Sequence, residues 1–393
     1  MTSKRLSDQT TLKNWRTAPF NSWSFVNVES LLNGQSIPKG SLSLPWETTT
    51  AIDLENITLP NGQSAKEAIH TSHGDALVVV DDGKLCSEFY FGETNADSRH
   101  LLFSITKSVV GILAGILIEE GSLSRDLLVT QYIPELANSA WGDATVDQVL
   151  DMLVSVDFGE DYLDPQGLME HYRVAMEWNP PGNVDYSGGL HRFLTRVAKG
   201  KQEHGQYMQY ASPTTDVLGW ILERASGESI PTLISSRIWQ RIGAQANAWI
   251  SVDKENGART AGGMCATALD LARFGEALRL NADAQGSPFI SPHWREDILL
   301  SGNRNAWKNG TLNVLFPAGH YRNKWYVPDR LPGAMMAIGI HGQWLYIDPI
   351  RKITIVKLSS QPLPEDGPLD QLNIDLCSAV SEAIVNRRSP NVL

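Results

Sequence analysis

Ser104 and Lys107 stand three residues apart in Phe103-Ser104-Ile105-Thr106-Lys107-Ser108, at the head of an apolar run over 109–117. On a helix these two side chains share one face, one turn apart. A serine hydroxyl is a weak nucleophile until a base takes its proton, and a lysine shielded from water can be that base. The spacing alone discriminates little. Ser-x-x-Lys also occurs from Ser36 to Lys39, where Pro38 predicts an exposed loop, and from Ser251 to Lys254, which runs into the turn signal Glu255-Asn256-Gly257. Only the middle copy opens a buried-looking helix. The competing reading of Ser104 is a plain helix cap.

Two further patterns could complete the chemistry. Tyr210 and Ser212, in Gln209-Tyr210-Ala211-Ser212-Pro213, precede a predicted helix. A phenol serves as a base only if cations lower its pKa, and Lys107 is expected to supply that field. Tyr210 could then carry the proton from Ser104 to a leaving group; otherwise it is a packed tyrosine bonded to backbone. The glycines of Ala337-Ile338-Gly339-Ile340-His341-Gly342-Gln343-Trp344 fit a strand that a substrate approaches closely, or one kinked for packing. On the first reading the N–H of Ile340, with that of Ser104, would hold a developing oxyanion.

The positioning elements follow from periodicity. Strands over 76–80 and 84–91 around Asp81-Asp82-Gly83 predict one hairpin; strands over 344–347 and 352–358 predict another. Hairpins near both chain ends predict one antiparallel sheet, covered by a helix over 368–385. Between them the chain reads as helical, over 145–153, 216–227 (capped by Asp216), 233–242 and 268–280. Residues 1–70 show little periodicity and are expected to wrap the surface. Residues 155–210 are aromatic- and glycine-rich, as in a binding loop or an ordinary surface loop.

The 393 residues are 42% hydrophobic and 20% charged, enough for a large core in one domain or two. A net charge of −11 argues against nucleic acid. No 18-residue apolar run predicts a membrane span, and no apolar segment follows the charged start, so no secretory signal is expected. Cys86, Cys265 and Cys377 are widely separated and read as buried thiols of a cytoplasmic protein. No metal-ligand spacing, nucleophile elbow or phosphate loop occurs, and no cofactor is expected.

Taken in order, these motifs resemble the penicillin-recognising serine hydrolases, in the branch of class C β-lactamases, D-Ala-D-Ala carboxypeptidases and esterases. The pattern is closest to the nylon-oligomer hydrolases of that branch. The resemblance runs through Arg99-His100-Leu101-Leu102-Phe103-Ser104, Gln148-Val149-Leu150-Asp151-Met152, Glu160-Asp161-Tyr162-Leu163-Asp164-Pro165, Thr215-Asp216-Val217-Leu218, Gly339-Ile340-His341-Gly342-Gln343 and Ile355-Val356-Lys357-Leu358. It implies an α/β (α+β) fold in two parts: 1–125 with 245–393, and an inserted, mostly helical 126–244. It implies an acyl-enzyme hydrolase with Ser104 as nucleophile, Lys107 as neutral base and Tyr210 serving the leaving group. Tyr162 would close over the substrate amide and Ile340 would lie on the oxyanion strand. Tyr326, Ala261, Ser212 and His341 would flank the cleft. A homodimer is a further implied possibility.

The family's strand cation, which grips a substrate carboxylate, is replaced by Ala337 in Ala337-Ile338-Gly339. Ala261 stands where an asparagine favours the nylon dimer. The first departure points away from penicillins and D-Ala-D-Ala peptides; the second points away from high activity on the nylon dimer, whereas ester hydrolysis survives such changes more easily. A carboxylesterase, a β-lactamase or D,D-peptidase, and a non-catalytic ligand-binding protein on the same fold remain the alternatives.

Overall fold

The computed structural model describes residues 5–182 and 188–388. Its main sheet has seven antiparallel strands in the spatial order Lys84–Tyr90, Gly74–Asp81, Ile353–Ser359, Gln343–Asp348, Met335–Gly339, Trp325–Val327 and His320–Arg322. N- and C-terminal segments therefore share one sheet, as the two hairpins predict. The first hairpin turns at Asp82 and Gly83, both at positive φ, the two-residue geometry that matches strand twist. The helix Gly367–Arg388 covers one face through Leu376, Val380 and Ile384. The helix Ala268–Leu280 packs on the sheet from another side. It starts at Thr267, whose hydroxyl accepts from Asp270 N–H, and stops at left-handed Asn281.

A second, smaller sheet pairs Gly34–Ile37, Ala248–Ser251, Met264–Ala266 and His100–Leu101. Between 126 and 244 the described residues form helices, turns and isolated bridges. One apolar core runs through both regions, from Trp15 and Phe25 through Ile112, Val149 and Trp220 to Leu358. The division at 126 and 244 is thus a proposed one, based on element type and not on any break in packing.

The helix Ile105–Glu119 lies at the centre of that core. Every residue from Ile105 to Leu117 is buried, so it needs no polar face. Two glycines let its neighbours come close. A Cβ at Gly111 would lie 2.2 Å from the Asn323 carbonyl oxygen, and one at Gly115 2.5 Å from the Trp294 ring.

Five sequence expectations are corrected. Residues 1–70 do more than wrap the surface: Trp15, Phe25, Val28 and Leu32 enter the core, because aromatic and aliphatic side chains lacking regular periodicity still bury apolar area. Asp216 does not cap its helix. The helix begins one turn earlier, at Ser212–Ser226 with Pro213 in its first turn, and Asp216 is buried inside it. The helix expected over 233–242 is Ile230–Ile234 followed by a π-turn, Ser235–Trp239. The strand expected over 337–344 is broken at Ile340, His341 and Gly342, where His341 and Gly342 take positive φ. Its two halves become adjacent strands, with Gly339 opposite Gln343. Ser36, expected in a loop, lies in the edge strand Gly34–Ile37.

Candidate active site

Ser104 occupies the N-cap of the central helix, yet its side chain makes no capping hydrogen bond. The hydroxyl oxygen instead accepts a 2.7 Å hydrogen bond from Lys107 Nζ. The residue before it, Phe103, is held at φ 45°, a left-handed backbone that a bulky residue adopts only when its surroundings compel it. Its ring is packed against Phe25, Trp178 and His341. This packing fixes the turn that presents Ser104.

Lys107 is 1% exposed. Its other contacts are the Ala261 carbonyl at 2.6 Å and the face of the Tyr210 ring, 4.9 Å from Nζ. None of these neutralises an ammonium as a carboxylate would. Burial therefore lowers its pKa to about 7; Glu160 and Asp216 pull it back up, and Arg259 adds to the depression. A lysine in that range supplies neutral amine near neutral pH.

The Ala261 carbonyl is held in place from behind. Asp216 Oδ1 accepts from the Ala261 N–H at 2.7 Å, and Asp216 Oδ2 pairs with Arg259 at 2.5 Å. Tyr172 donates to the same carboxylate. Sequence reading treated Asp216 as a helix cap; its actual partners are distant in the chain, and no local pattern points to them.

Tyr210 lies over Lys107 with its hydroxyl directed at the side chains of Ser104 and Tyr326. Burial, and then the Glu160 carboxylate, push its phenol above the ordinary value. This reverses the expected lowering by Lys107, because desolvation and the Glu160 carboxylate dominate at the phenol. Tyr210 is therefore a phenol that can give a proton, not a phenolate. Glu160 accepts from the Tyr162 hydroxyl and from the Ser212 N–H. It stands two residues before Tyr162 in a quoted stretch, but nothing in its spacing marks it as a site residue.

Gly339 ends its strand against Ser104. A Cβ there would lie 2.7 Å from the Leu102 carbonyl and 3.1 Å from the Ser104 nitrogen. The absent side chain lets Ile340 reach the same cavity that Ser104 lines. Among the described residues, the N–H groups of Ser104 and Ile340 donate to no protein acceptor.

The cavity beside Ser104 measures about 30 Å³. Of the sequence-derived candidates, Ser104, Tyr162, Ser212, Ala261 and Ile340 line it. Tyr326 instead packs beneath Tyr210, with ring centroids 6.5 Å apart. His341 does not reach the cavity. Its Nδ1 faces the Gln361 carbonyl at 2.7 Å, its ring packs under Phe103, and burial lowers its pKa to about 4. It is a neutral support for the turn. Phe103 and Gly262 also line it, as do Arg16, Met169, Arg173, Met176, Trp178 and Arg259, for which no sequence pattern gave a role.

Known proteins carry the same arrangement of chain. A family model named Beta-lactamase matches residues 64–377. The chain is 34% identical over 374 residues to a 6-aminohexanoate-dimer hydrolase of Paenarthrobacter ureafaciens, covering 95% of this chain and 94% of that protein. It superposes with TM-score 0.87 and 26% identity on a solved structure described as "Putative 6-aminohexanoate-dimer hydrolase from Bacillus anthracis", covering 97% and 99% of the two chains. A family VIII carboxylesterase shares the fold at TM-score 0.60 and 15% identity, over 85% of this chain and 100% of that one.

Proposed function

The chain belongs to the beta-lactamase family of serine hydrolases, and we propose that it cleaves amide or ester bonds through an acyl-enzyme on Ser104. The observation that carries this is the 2.7 Å contact between Ser104 Oγ and a fully buried Lys107 amine that ionises near neutrality. The proposed substrate class includes linear amides of the 6-aminohexanoate-dimer type, named for the relative at 34% identity, and simple carboxylic esters.

In this reading the neutral Lys107 amine accepts the Ser104 proton as Oγ bonds to the substrate carbonyl carbon. The carbonyl π pair moves to oxygen, which the N–H groups of Ser104 and Ile340 receive. Collapse of the tetrahedral intermediate expels the leaving group, which takes its proton from Tyr210; the Lys107 ammonium under the Tyr210 ring returns one. Water then repeats the sequence on the acyl-enzyme and releases the acid. An alcohol leaves with less help than an amine, so ester turnover demands less of Tyr210. Ala337, uncharged on the strand Met335–Gly339, offers a penicillin carboxylate no partner.

Three buried free thiols suit a reducing, cytoplasmic setting, and no described helix is long and apolar enough to cross a membrane. A homodimer is part of the same proposal, carried only by family resemblance. The test is labelling by a fluorophosphonate, together with a panel of esters, linear amides and β-lactams, on wild type and Ser104→Ala. Labelling and ester turnover lost in the variant support the reading. An unlabelled wild type, or labelling that persists in Ser104→Ala, overturns it.

A further inference from the structure

We propose that Arg16 and Arg173 form an anion-binding subsite in the wall of the Ser104 cavity, so that the acyl half of the substrate ends in a carboxylate. The preferred substrates would be half-esters or half-amides of dicarboxylic acids, ahead of the 6-aminohexanoate-dimer type, whose acyl half ends in an ammonium. This rests on Ser104 being the nucleophile, as proposed above.

The wall around Ser104 is mostly apolar: Phe103, Met169, Met176, Trp178 and Ile340. Arg16 and Arg173 line the same space, the first from the N-terminal segment and the second from the helix Leu168–Ala175. A guanidinium taken out of water is costly unless an anion compensates it. Arg16 has only neutral oxygens, the Trp178 carbonyl at 3.1 Å and the Asn179 side chain. No ion pair to it forms among the described residues. Arg173 has one carboxylate, Glu170, at the long distance of 3.7 Å, and donates to the Tyr162 carbonyl at 3.0 Å. Asn179 also donates to Glu170, linking the two arginines into one network. Glu160, bonded to the Tyr162 hydroxyl, also acts on Arg173, so the carboxylates gather about Arg173 and, among the described residues, Arg16 beside it is left without an ion pair.

Burial and the neighbouring Arg173 together hold Arg16 down to about 9, as expected for like charges crowded without sufficient counter-charge. The third arginine of the wall, Arg259, differs: Asp216 already neutralises it at 2.5 Å. Among the described residues, the guanidinium of this wall without an ion pair is thus Arg16, with Arg173 beside it.

Geometry also says which half of the substrate meets them. The leaving group must reach Tyr210, and neither Tyr210 nor Tyr326 lines this cavity. The cavity is therefore left to the acyl half. A planar carboxylate matches the forked donors of arginine, and a charge-assisted contact in an apolar wall separates ionic from neutral acyl groups by roughly tenfold to a hundredfold.

The test compares kcat/KM for 4-nitrophenyl half-esters of adipic and suberic acids with their methyl-capped neutral counterparts and with the 6-aminohexanoyl ester. Wild type is expected to prefer the free carboxylate by about tenfold or more. Arg16→Gln and Arg173→Gln should each collapse that ratio, Arg16→Lys should retain part of it, and Arg173→Glu should move preference toward the amino ester. A wild type indifferent to acyl charge, or a ratio unchanged in both glutamine variants, overturns the subsite. The wild-type ratio needs no variant, so a misfolded mutant does not block the decision. Turnover of capped esters at Ser104 without charge preference sinks the subsite alone; no Ser104-dependent turnover of any ester sinks the hydrolase reading instead.

Discussion

Replacing Lys107 by methionine tests the electrostatic basis of the whole site. Burial brings the amine from its ordinary 10.5 to about 7. At about 1.36 kcal/mol per pH unit, that difference corresponds to on the order of 5 kcal/mol between folded and unfolded states. Between pH 7 and 10.5 the unfolded lysine holds a proton that the folded one lacks, so wild-type stability rises with pH across this window. Below pH 7 both forms are protonated, and the full cost of a buried ammonium is present and constant. Lys107→Met has no such titration. Its own cost is the loss of a donor to the Ala261 carbonyl and to Ser104, about 1–3 kcal/mol for each group left unpartnered. Urea denaturation of both proteins at several pH values from 6 to 10 should show wild type gaining on the variant by about 1.4 kcal/mol per pH unit above 7. The same amine should give wild-type kcat/KM an acid limb, falling tenfold per pH unit below about 7, and the variant should lose roughly a thousandfold or more in activity. Two stability curves that run parallel from pH 7 to 10 would mean the amine ionises near its ordinary value. Lys107 could not then be a neutral base at physiological pH.

Three further changes probe the surroundings of that pair. Glu160→Gln removes an anion that raises the lysine pKa, so the acid limb of kcat/KM should move to lower pH; an unmoved limb contradicts the coupling. Gly339→Ala places a methyl 3.1 Å from the Ser104 nitrogen. It should cut kcat by about a hundredfold to a thousandfold while pre-steady-state substrate binding changes far less. Asp216→Asn leaves Arg259 buried without its counter-charge and should cost about 3–5 kcal/mol in denaturant titration. A loss below about 1 kcal/mol would show that water already screens that pair.

Much of the site was legible because its chemistry is local. Ser104 and Lys107 lie one helical turn apart, so helix geometry alone brings them together. The apolar run behind them predicted the burial that lowers the lysine pKa. The two hairpins were readable from alternation and turn residues, and so was the single sheet they share. Tyr210 was legible as a candidate but its ionisation was not. The sign depended on Glu160, whose carboxylate folds in from a separate loop and whose effect no spacing reveals. His341 lay beside the oxyanion residue in sequence, yet one positive-φ turn directs its ring into the core instead of the cavity.

The order of motifs along the chain determined the family and the proposed nucleophile and base, since these rest on spacing within one helix and on strand patterns that survive any packing. Tertiary structure alone decided what surrounds them. Arg16 comes from an aperiodic N-terminal segment, Arg173 from a short helix and Arg259 from a turn before a strand; only the fold places all three in one wall and gives Arg259 a close internal counter-ion. Charge balance in a cavity is a sum over groups distant in sequence, weighted by their burial. For that reason the missing strand cation could be read from Ala337, but the placing of Arg16 beside Arg173 could be seen only once the chain had folded.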